Sequence, residues 1–149
     1  MECEPIRLRW HKWELSGTLY FEFQPGAFAG RHWQPESVFV REEFVADLER
    51  VVARLATGHG AWAHYGATVV PAAEWPPILA GFEGLAMGLR RADRSSAAEL
   101  LPSLFRWFEP VAGRNWRRYV LQYAALTSDL SAWVRGRLGE QSAVSVLGI

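Results

Sequence analysis

A chain of 149 residues with 16 basic and 16 acidic side chains has no net charge at neutral pH, so no overall field draws it to nucleic acid or to an anionic membrane. Its single cysteine, Cys3, excludes a framework of intrachain disulfides. The length is typical of one domain, and we expect residues 1–149 to form a single compact unit. The N-terminus lacks signal-peptide features, and no apolar run reaches the roughly 20 residues that span a bilayer. We therefore expect a cytoplasmic protein outside the membrane.

Alternating residues predict a β-hairpin near the N-terminus. Apolar and polar side chains alternate over residues 6–10 and again over residues 19–23, with a Ser-Gly break between the two runs. This period of two is typical of paired strands with one buried face. Residues 38–40 can add a short third strand. The apolar period then becomes helical, which predicts a helix over residues 41–57.

Proline and glycine residues organise the second half of the chain. Residues 59–70 end at Pro71 and favour a further strand, and the Pro-Pro pair that follows can begin a helix. Three glycines interrupt this helix, and each costs about 1 kcal/mol relative to alanine unless it permits close packing. These are Gly81, Gly84 and Gly88. Farther along, Pro102 predicts a kink or a restart of the helical segment.

The last part of the chain completes the predicted fold. A nearly continuous apolar stripe predicts the longest helix over residues 115–138. The apolar tail, residues 143–149, is expected either to add a strand or to bind a partner. Together the elements predict an α+β fold, in which a small antiparallel sheet consists of the N-terminal hairpin and one to three further strands. Three to four helices are expected to pack on one face of this sheet.

No pattern of residues predicts a metal, a cofactor or a catalytic set. His59 and His64 are the closest pair of histidines, and their offset of five places them on opposite faces of the predicted strand. Residues 58–63 fit the dinucleotide-binding pattern, but there the helix precedes the strand instead of following it. The P-loop, nucleophile-elbow and metalloprotease motifs are missing from the sequence. The sequence therefore favours a non-enzymatic protein.

Arginines near aromatic residues give a second possible interpretation, which is binding of single-stranded nucleic acid. Arg90, Arg91 and Arg94 form one such group, and the residues around Trp116 form another. Arginines and rings together can neutralise phosphates and stack on bases. The same arginines fit the solvated flank of the last helix, and we favour this structural interpretation. Fifteen arginines against one lysine are typical of a GC-rich bacterial gene.

Eight tryptophans are the most informative feature of the composition. Trp10 and Trp13 have opposite parity in the predicted hairpin, so at least one of them should be exposed. Tryptophan dominates binding hot spots because it desolvates a large area with few lost rotamers. We therefore expect a partner-binding surface on the hairpin and its rim. Its expected residues are Trp13, Tyr20, Glu22, Trp33 and Glu36.

The leading functional hypothesis is a protein-binding module of the kind represented by bacterial immunity proteins. Such a module neutralises a cognate toxin by masking its active or target-binding surface, and the comparison is an analogy of class. One alternative is a small-molecule-binding or enzymatic domain with an aromatic pocket. The pocket would be lined by Trp62, His64, Tyr65 and Trp75. A second alternative is a structural subunit that forms homo-oligomers through its exposed rings.

Overall fold

The computed structural model describes residues 4–55 and 62–149, and these residues form four β-strands and five α-helices. The strands are β1 (Tyr20–Pro25), β2 (Val38–Arg41), β3 (Ala67–Pro71) and β4 (Ala143–Leu147). The helices are α1 (Glu42–Leu55), α2 (Trp75–Arg91), α3 (Arg94–Leu100), α4 (Pro102–Trp107) and α5 (Trp116–Leu138). This architecture confirms the predicted α+β class. Within the described ranges, every helix is too short or too polar to cross a membrane.

All four strands belong to one antiparallel sheet with the order β2-β1-β4-β3. The apolar tail forms β4, which lies between β1 and β3, and all five of its residues are buried. The expectation of an added strand is therefore confirmed, and the strand is central because it is apolar on both faces. Residues 56–61 lie outside the described residues, and they include His59, the predicted end of the first helix and part of the dinucleotide-like pattern.

The strand that pairs with β1 in the N-terminal hairpin is β2, and residues 6–10 take a different place from the predicted one. This segment meets the sheet at a single bridge, where Arg9 and Phe39 exchange backbone hydrogen bonds of 2.9 and 2.8 Å. It therefore lies beside β2, at the edge of the sheet. Strand β1 is buried on both faces, so its alternation does not separate a core face from a wet one.

Helices cover one face of the sheet and pack through aromatic side chains. The ring of Trp62 lies edge-on to Phe23 of β1 at 5.4 Å and to Phe82 of α2 at 6.3 Å. Trp75 at the start of α2 is buried, and its indole N–H donates a hydrogen bond of 3.1 Å to the carbonyl of Val70. These contacts fix α2 on the sheet, and α5 packs along α2 over the same core.

The predicted break at Pro102 is confirmed, and it separates α3 from α4. Proline is tolerated at this first helical position because its missing N–H would have no partner within the helix. The carboxylate of Asp47 on α1 accepts hydrogen bonds from the next two backbone amides, Ser103 N at 3.1 Å and Leu104 N at 2.9 Å. Asp47 thereby caps α4 from a neighbouring helix. Burial raises the pKa of its carboxyl above the usual value, despite these hydrogen bonds.

The glycines of α2 have different surroundings. A Cβ atom on Gly81 would lie 2.5 Å from Leu55 Cδ1 and 2.6 Å from Val51 Cγ1, so this glycine lets α1 approach closely. A Cβ atom on Gly84 would meet no described atom within 4 Å. Close packing therefore explains the first glycine and gives no reason for the second.

This difference predicts opposite rankings for two matched substitutions. Gly84→Ala should raise the free energy of unfolding by about 1 kcal/mol, because alanine favours the helix and meets no obstacle. Gly81→Ala should give a less stable protein than Gly84→Ala, since Val51 and Leu55 must move aside. Urea denaturation monitored by circular dichroism measures both values. Equal gains in stability would contradict the close packing of α1 against Gly81.

Candidate functional site

A shallow cleft lies at the end of the sheet where β1 and β3 begin and β4 ends. We call it the Trp33 cleft; its volume is about 330 Å³, and Trp33, Leu19 and Tyr65 contribute to its lining. Leu19 is 61% exposed and Tyr65 is 78% exposed. Single exposed apolar side chains are common on protein surfaces, but several around one cleft are unusual. Their grouping marks this cleft as a candidate binding surface.

The buried carboxylate of Glu22 builds the wall of the Trp33 cleft. Its oxygens accept hydrogen bonds from the backbone N–H groups of Trp33 at 2.8 Å and Gln34 at 2.9 Å. They also accept one from Ser37 Oγ at 2.6 Å and one from Gln24 Nε2 at 3.0 Å. The side chain of Glu22 is only 3% exposed. Four donors therefore replace water around this charge and fix the loop of residues 26–37 on the outer face of the sheet.

Trp33 has an unusual backbone conformation. Its φ of 60° lies in the left-handed region, and it is the one residue other than glycine with positive φ in the part of the chain that the structure describes. A bulky residue pays about 1–3 kcal/mol for such a conformation. The hydrogen bond to Glu22 and the stacking of its ring on Phe39, with centroids 5.6 Å apart, hold it there. Strain of this kind is concentrated at functional sites.

A second cleft, of about 560 Å³, lies between α1 and α4 beside residues 62–66. We call it the α1–α4 cleft. Glu42, Ala46, Glu49 and Ala53 of α1 line it at helical spacing, and Trp107 of α4 stands opposite with 71% of its side chain exposed. The two clefts are neighbours. Tyr65 lines the Trp33 cleft, His64 lines the α1–α4 cleft, and the centroids of these two rings are 4.7 Å apart. Together they form one rim of exposed aromatic and apolar groups.

Acidic groups dominate the charge of the α1–α4 cleft. Glu42 Oε1 lies 3.1 Å from His64 Nε2, and Glu43 Oε1 lies 2.7 Å from Arg41 Nη2. Glu49 has no hydrogen-bond or ion-pair partner among residues 4–55 and 62–149, although His64 is near enough to act on it electrostatically. Burial raises the pKa of the Glu49 carboxyl above its usual value, against the opposing effect of His64. The cleft therefore holds a partly desolvated carboxylate to which no cation of the described residues is bonded.

The expected partner-binding residues do not form one surface. Tyr20, Glu22 and Trp33 all contribute to the Trp33 cleft, but the side chains of the first two are buried. Glu22 uses its oxygens within the domain, so it is a structural residue and is not carried forward as a contact. Trp13 is 74% exposed and stacks on His11 at 4.1 Å, and like the exposed Glu36 it lines neither cleft. The exposure of Trp10 and Trp13 confirms that both rings cannot face the core.

The four residues of the alternative pocket are divided between the core and the surface. Trp62 and Trp75 lie in the core with ring centroids 6.3 Å apart, and both are buried. His64 and Tyr65 lie outside this pair, on the rim of the two clefts. The reason is packing, because the Trp62 ring fills the space between the sheet and α2. The four residues therefore do not line a common pocket.

Other sequence features have structural explanations. Arg94 donates to the carbonyl of Ala112 at 2.8 Å and Arg117 to that of Ala92 at 3.4 Å, so these arginines connect neighbouring helices. Over residues 4–55 and 62–149, no three His, Cys, Asp or Glu side chains come together in a way that could hold a metal ion. The cleft residues that sequence reasoning missed are Leu19, Glu49 and Trp107. Only the position of Trp107 away from the apolar stripe of α4 could have indicated its exposure.

No known protein family, curated protein or solved structure matches this chain. The geometry of the two clefts is therefore the basis for a functional proposal.

The role of Glu22 predicts a large loss of stability on its removal. Glu22→Ala leaves two backbone amides and a hydroxyl without their acceptor, and the free energy of unfolding should fall by about 3 kcal/mol or more. Glu36→Ala is the matched control, since it removes an exposed glutamate from the same loop and should change the value by less than about 0.5 kcal/mol. Chemical denaturation measures both. Similar effects of the two substitutions would contradict the inference that the hydrogen bonds to Glu22 hold the loop of residues 26–37 in place.

The raised pKa of Glu49 predicts a defined dependence of stability on pH. The folded protein binds this proton more readily than the unfolded chain, so the contribution to the free energy of unfolding falls as pH rises from about 4 through the raised pKa. Glu49→Gln should therefore match the wild type near pH 3.5 and exceed its melting temperature at pH 7. Glu83→Gln should have the opposite effect, because the hydrogen bond from Arg135 lowers the pKa of Glu83. Equal melting temperatures of the wild type and Glu49→Gln at pH 7 would contradict a destabilising effect of the partly buried Glu49 charge.

Proposed function

We propose that this protein is a non-enzymatic binding module that covers a functional surface of another protein, as an immunity protein covers its toxin. One observation carries the proposal. Leu19, Tyr65 and Trp107 each expose more than half of the side chain around two adjoining clefts. Aromatic side chains at the centre of a protein interface contribute most of the binding energy, because they desolvate fully and lose few rotamers.

The shape and preorganisation of this rim suit a protein partner. The clefts are open to solvent and adjoin each other, so a partner can insert one side chain in each while covering the ring of Tyr65 between them. The rim is also held rigidly on one side, since Glu22 fixes the loop that carries Trp33. A fixed surface binds with a smaller entropic cost than a mobile one. The spread of exposed rings over two adjoining clefts supports recognition of a protein surface.

The charge of the rim supports masking of a basic surface. Glu42, Glu43 and Glu49 lie in the α1–α4 cleft, and Arg50 is the one arginine among its lining residues. Complementary charge speeds association and selects against wrong partners. Basic surfaces bind nucleic acids and phosphates, so a module that covers one would block such an activity. This is the sense in which the proposed activity is neutralising.

Capture of the partner by native affinity purification tests this proposal. The tagged full-length chain should retain one stoichiometric protein from cells of its own source, identified by mass spectrometry. Leu19→Asp with Tyr65→Ala should lose this protein by at least about tenfold, because the substitutions remove the anchor and place a charge in the Trp33 cleft. Met87→Asp is the matched control, since Met87 is exposed on α2 and lines neither cleft.

Masking makes a further demand on the captured protein. Its activity should be inhibited by an equimolar amount of the wild-type chain and not by the double variant. If the double variant captures and inhibits as well as the wild type, the proposed surface is wrong. If the purified chain instead assembles with itself, and light scattering shows that the double variant prevents this, the rim mediates self-association.

A further inference from the structure

The α1–α4 cleft has an apolar floor with charged groups around it. Ala46 and Ala53 lie on the exposed stripe of α1, and the ring of Phe21 closes the end of the cleft near the sheet. Trp107 and His64 line the same cleft as these small alanine side chains. Methylene groups can pack on an alanine here while a polar group at their end reaches the charged side chains around it.

Trp107 provides an aromatic wall that binds cations. The guanidinium of Arg106 already lies 4.9 Å from its ring centroid, and most of the indole remains open. The face of an indole attracts cations more strongly than the other aromatic side chains do, and it prefers a planar guanidinium that can stack. An exposed Trp107 in the cleft therefore favours a cationic occupant over an anionic one.

Glu49 provides the charge that such an occupant would neutralise. It lies in the cleft, is partly desolvated and has no bonded cation in the described part of the chain, and burial raises the pKa of its carboxyl. Three arginines lie near the cleft, and each has another contact. Arg50 Nη1 lies 3.7 Å from Asp47 Oδ1, Arg41 Nη2 lies 2.7 Å from Glu43 Oε1, and the Arg106 guanidinium lies over the ring of Trp107. Glu42 adds a second carboxylate to the cleft, and its Oε1 already lies 3.1 Å from His64 Nε2.

We propose that the α1–α4 cleft binds an arginine side chain of the partner protein. The guanidinium lies against the ring of Trp107 and forms an ion pair with Glu49, while its methylene groups pack on the small side chain of Ala46, one turn before Glu49 on α1. Arginine fits better than lysine, because a planar guanidinium stacks on indole and can bond to a carboxylate through two N–H groups. This inference rests on the proposed function, since it names the group that the masked surface must present.

Binding of short peptides to the full chain tests the proposal without the partner. The probes are acetylated, amidated Gly-Gly-Xaa-Gly-Gly peptides in which Xaa is arginine, lysine or citrulline. Citrulline has nearly the shape of arginine and no charge. Two-dimensional NMR follows the indole N–H signal of Trp107 during titration up to about 10 mM. Arginine should bind at least about tenfold more tightly than citrulline, and lysine should lie between them.

Two variants and a control assign the site. Glu49→Gln, followed by the Trp107 indole signal, and Trp107→Ala, followed by the backbone amide signals of Ala46 and residue 49, should each weaken binding of the arginine peptide by at least about fivefold. Glu99→Gln on the exposed face of α3 should leave binding unchanged. Both substitutions lie at the surface, and thermal melting verifies that the variants fold. Equal binding of arginine and citrulline peptides, a Trp107 signal that does not move, or full binding by Glu49→Gln would each overturn the proposal.

The outcome also separates this proposal from the masking function. Leu19→Asp alone should bind the arginine peptide as the wild type does, because Leu19 lines the Trp33 cleft and not the α1–α4 cleft. If partner capture depends on the Trp33 cleft while Glu49→Gln captures fully and the peptide does not bind, the arginine site is wrong and the masking function stands. If the peptide binds as expected but no partner protein is inhibited, the arginine site stands and the masking function is wrong.

Discussion

The buried carboxylate of Glu22 is the interaction on which the outer face of the sheet depends. Helices cover one face of the sheet, and residues 26–37, a loop without a helix or strand, lie against β1 on the other face, where Glu22 is buried. Backbone amides in such a loop need acceptors when they are buried. Glu22 supplies them from the middle of β1, and the same bonds hold Trp33 in its left-handed conformation. The hydrogen bonds that hold the loop on the sheet therefore also determine the position of the Trp33 ring in the Trp33 cleft.

Asp47 has a comparable role on the helical side of the molecule. Helix α4 has only six residues, which is too short to be stable alone, and it receives its cap from the carboxylate on α1. The cap sets the position of α4 relative to α1, and therefore the distance of Trp107 from Glu49 across the cleft. Two buried acids, one on a strand and one on a helix, thus position the two halves of the rim.

The sequence allowed much of the fold to be predicted and little of the site. Helix periodicity located α1 and α5, and Pro102 located the break before α4, because these signals depend on neighbouring residues only. Glu22 was expected at a binding surface, since alternation does not reveal that a loop covers the polar face of its strand. The alternative pocket with Trp62 and Trp75 in its lining fails for a similar reason, because composition does not distinguish a packed ring from a pocket wall. Burial of this kind is decided by residues distant in the chain.

The central position of β4 has a consequence for how the molecule is made. Strand β1 pairs with β4 across almost the whole described chain, whereas the helices depend on local contacts. Pairings of high sequence separation form slowly, and on the ribosome they cannot form until residue 147 has emerged. Leu147 lines the Trp33 cleft, so this cleft is complete only after β4 has paired with β1. A nascent chain that has not yet released β4 therefore lacks one wall of the cleft as well as the centre of its sheet.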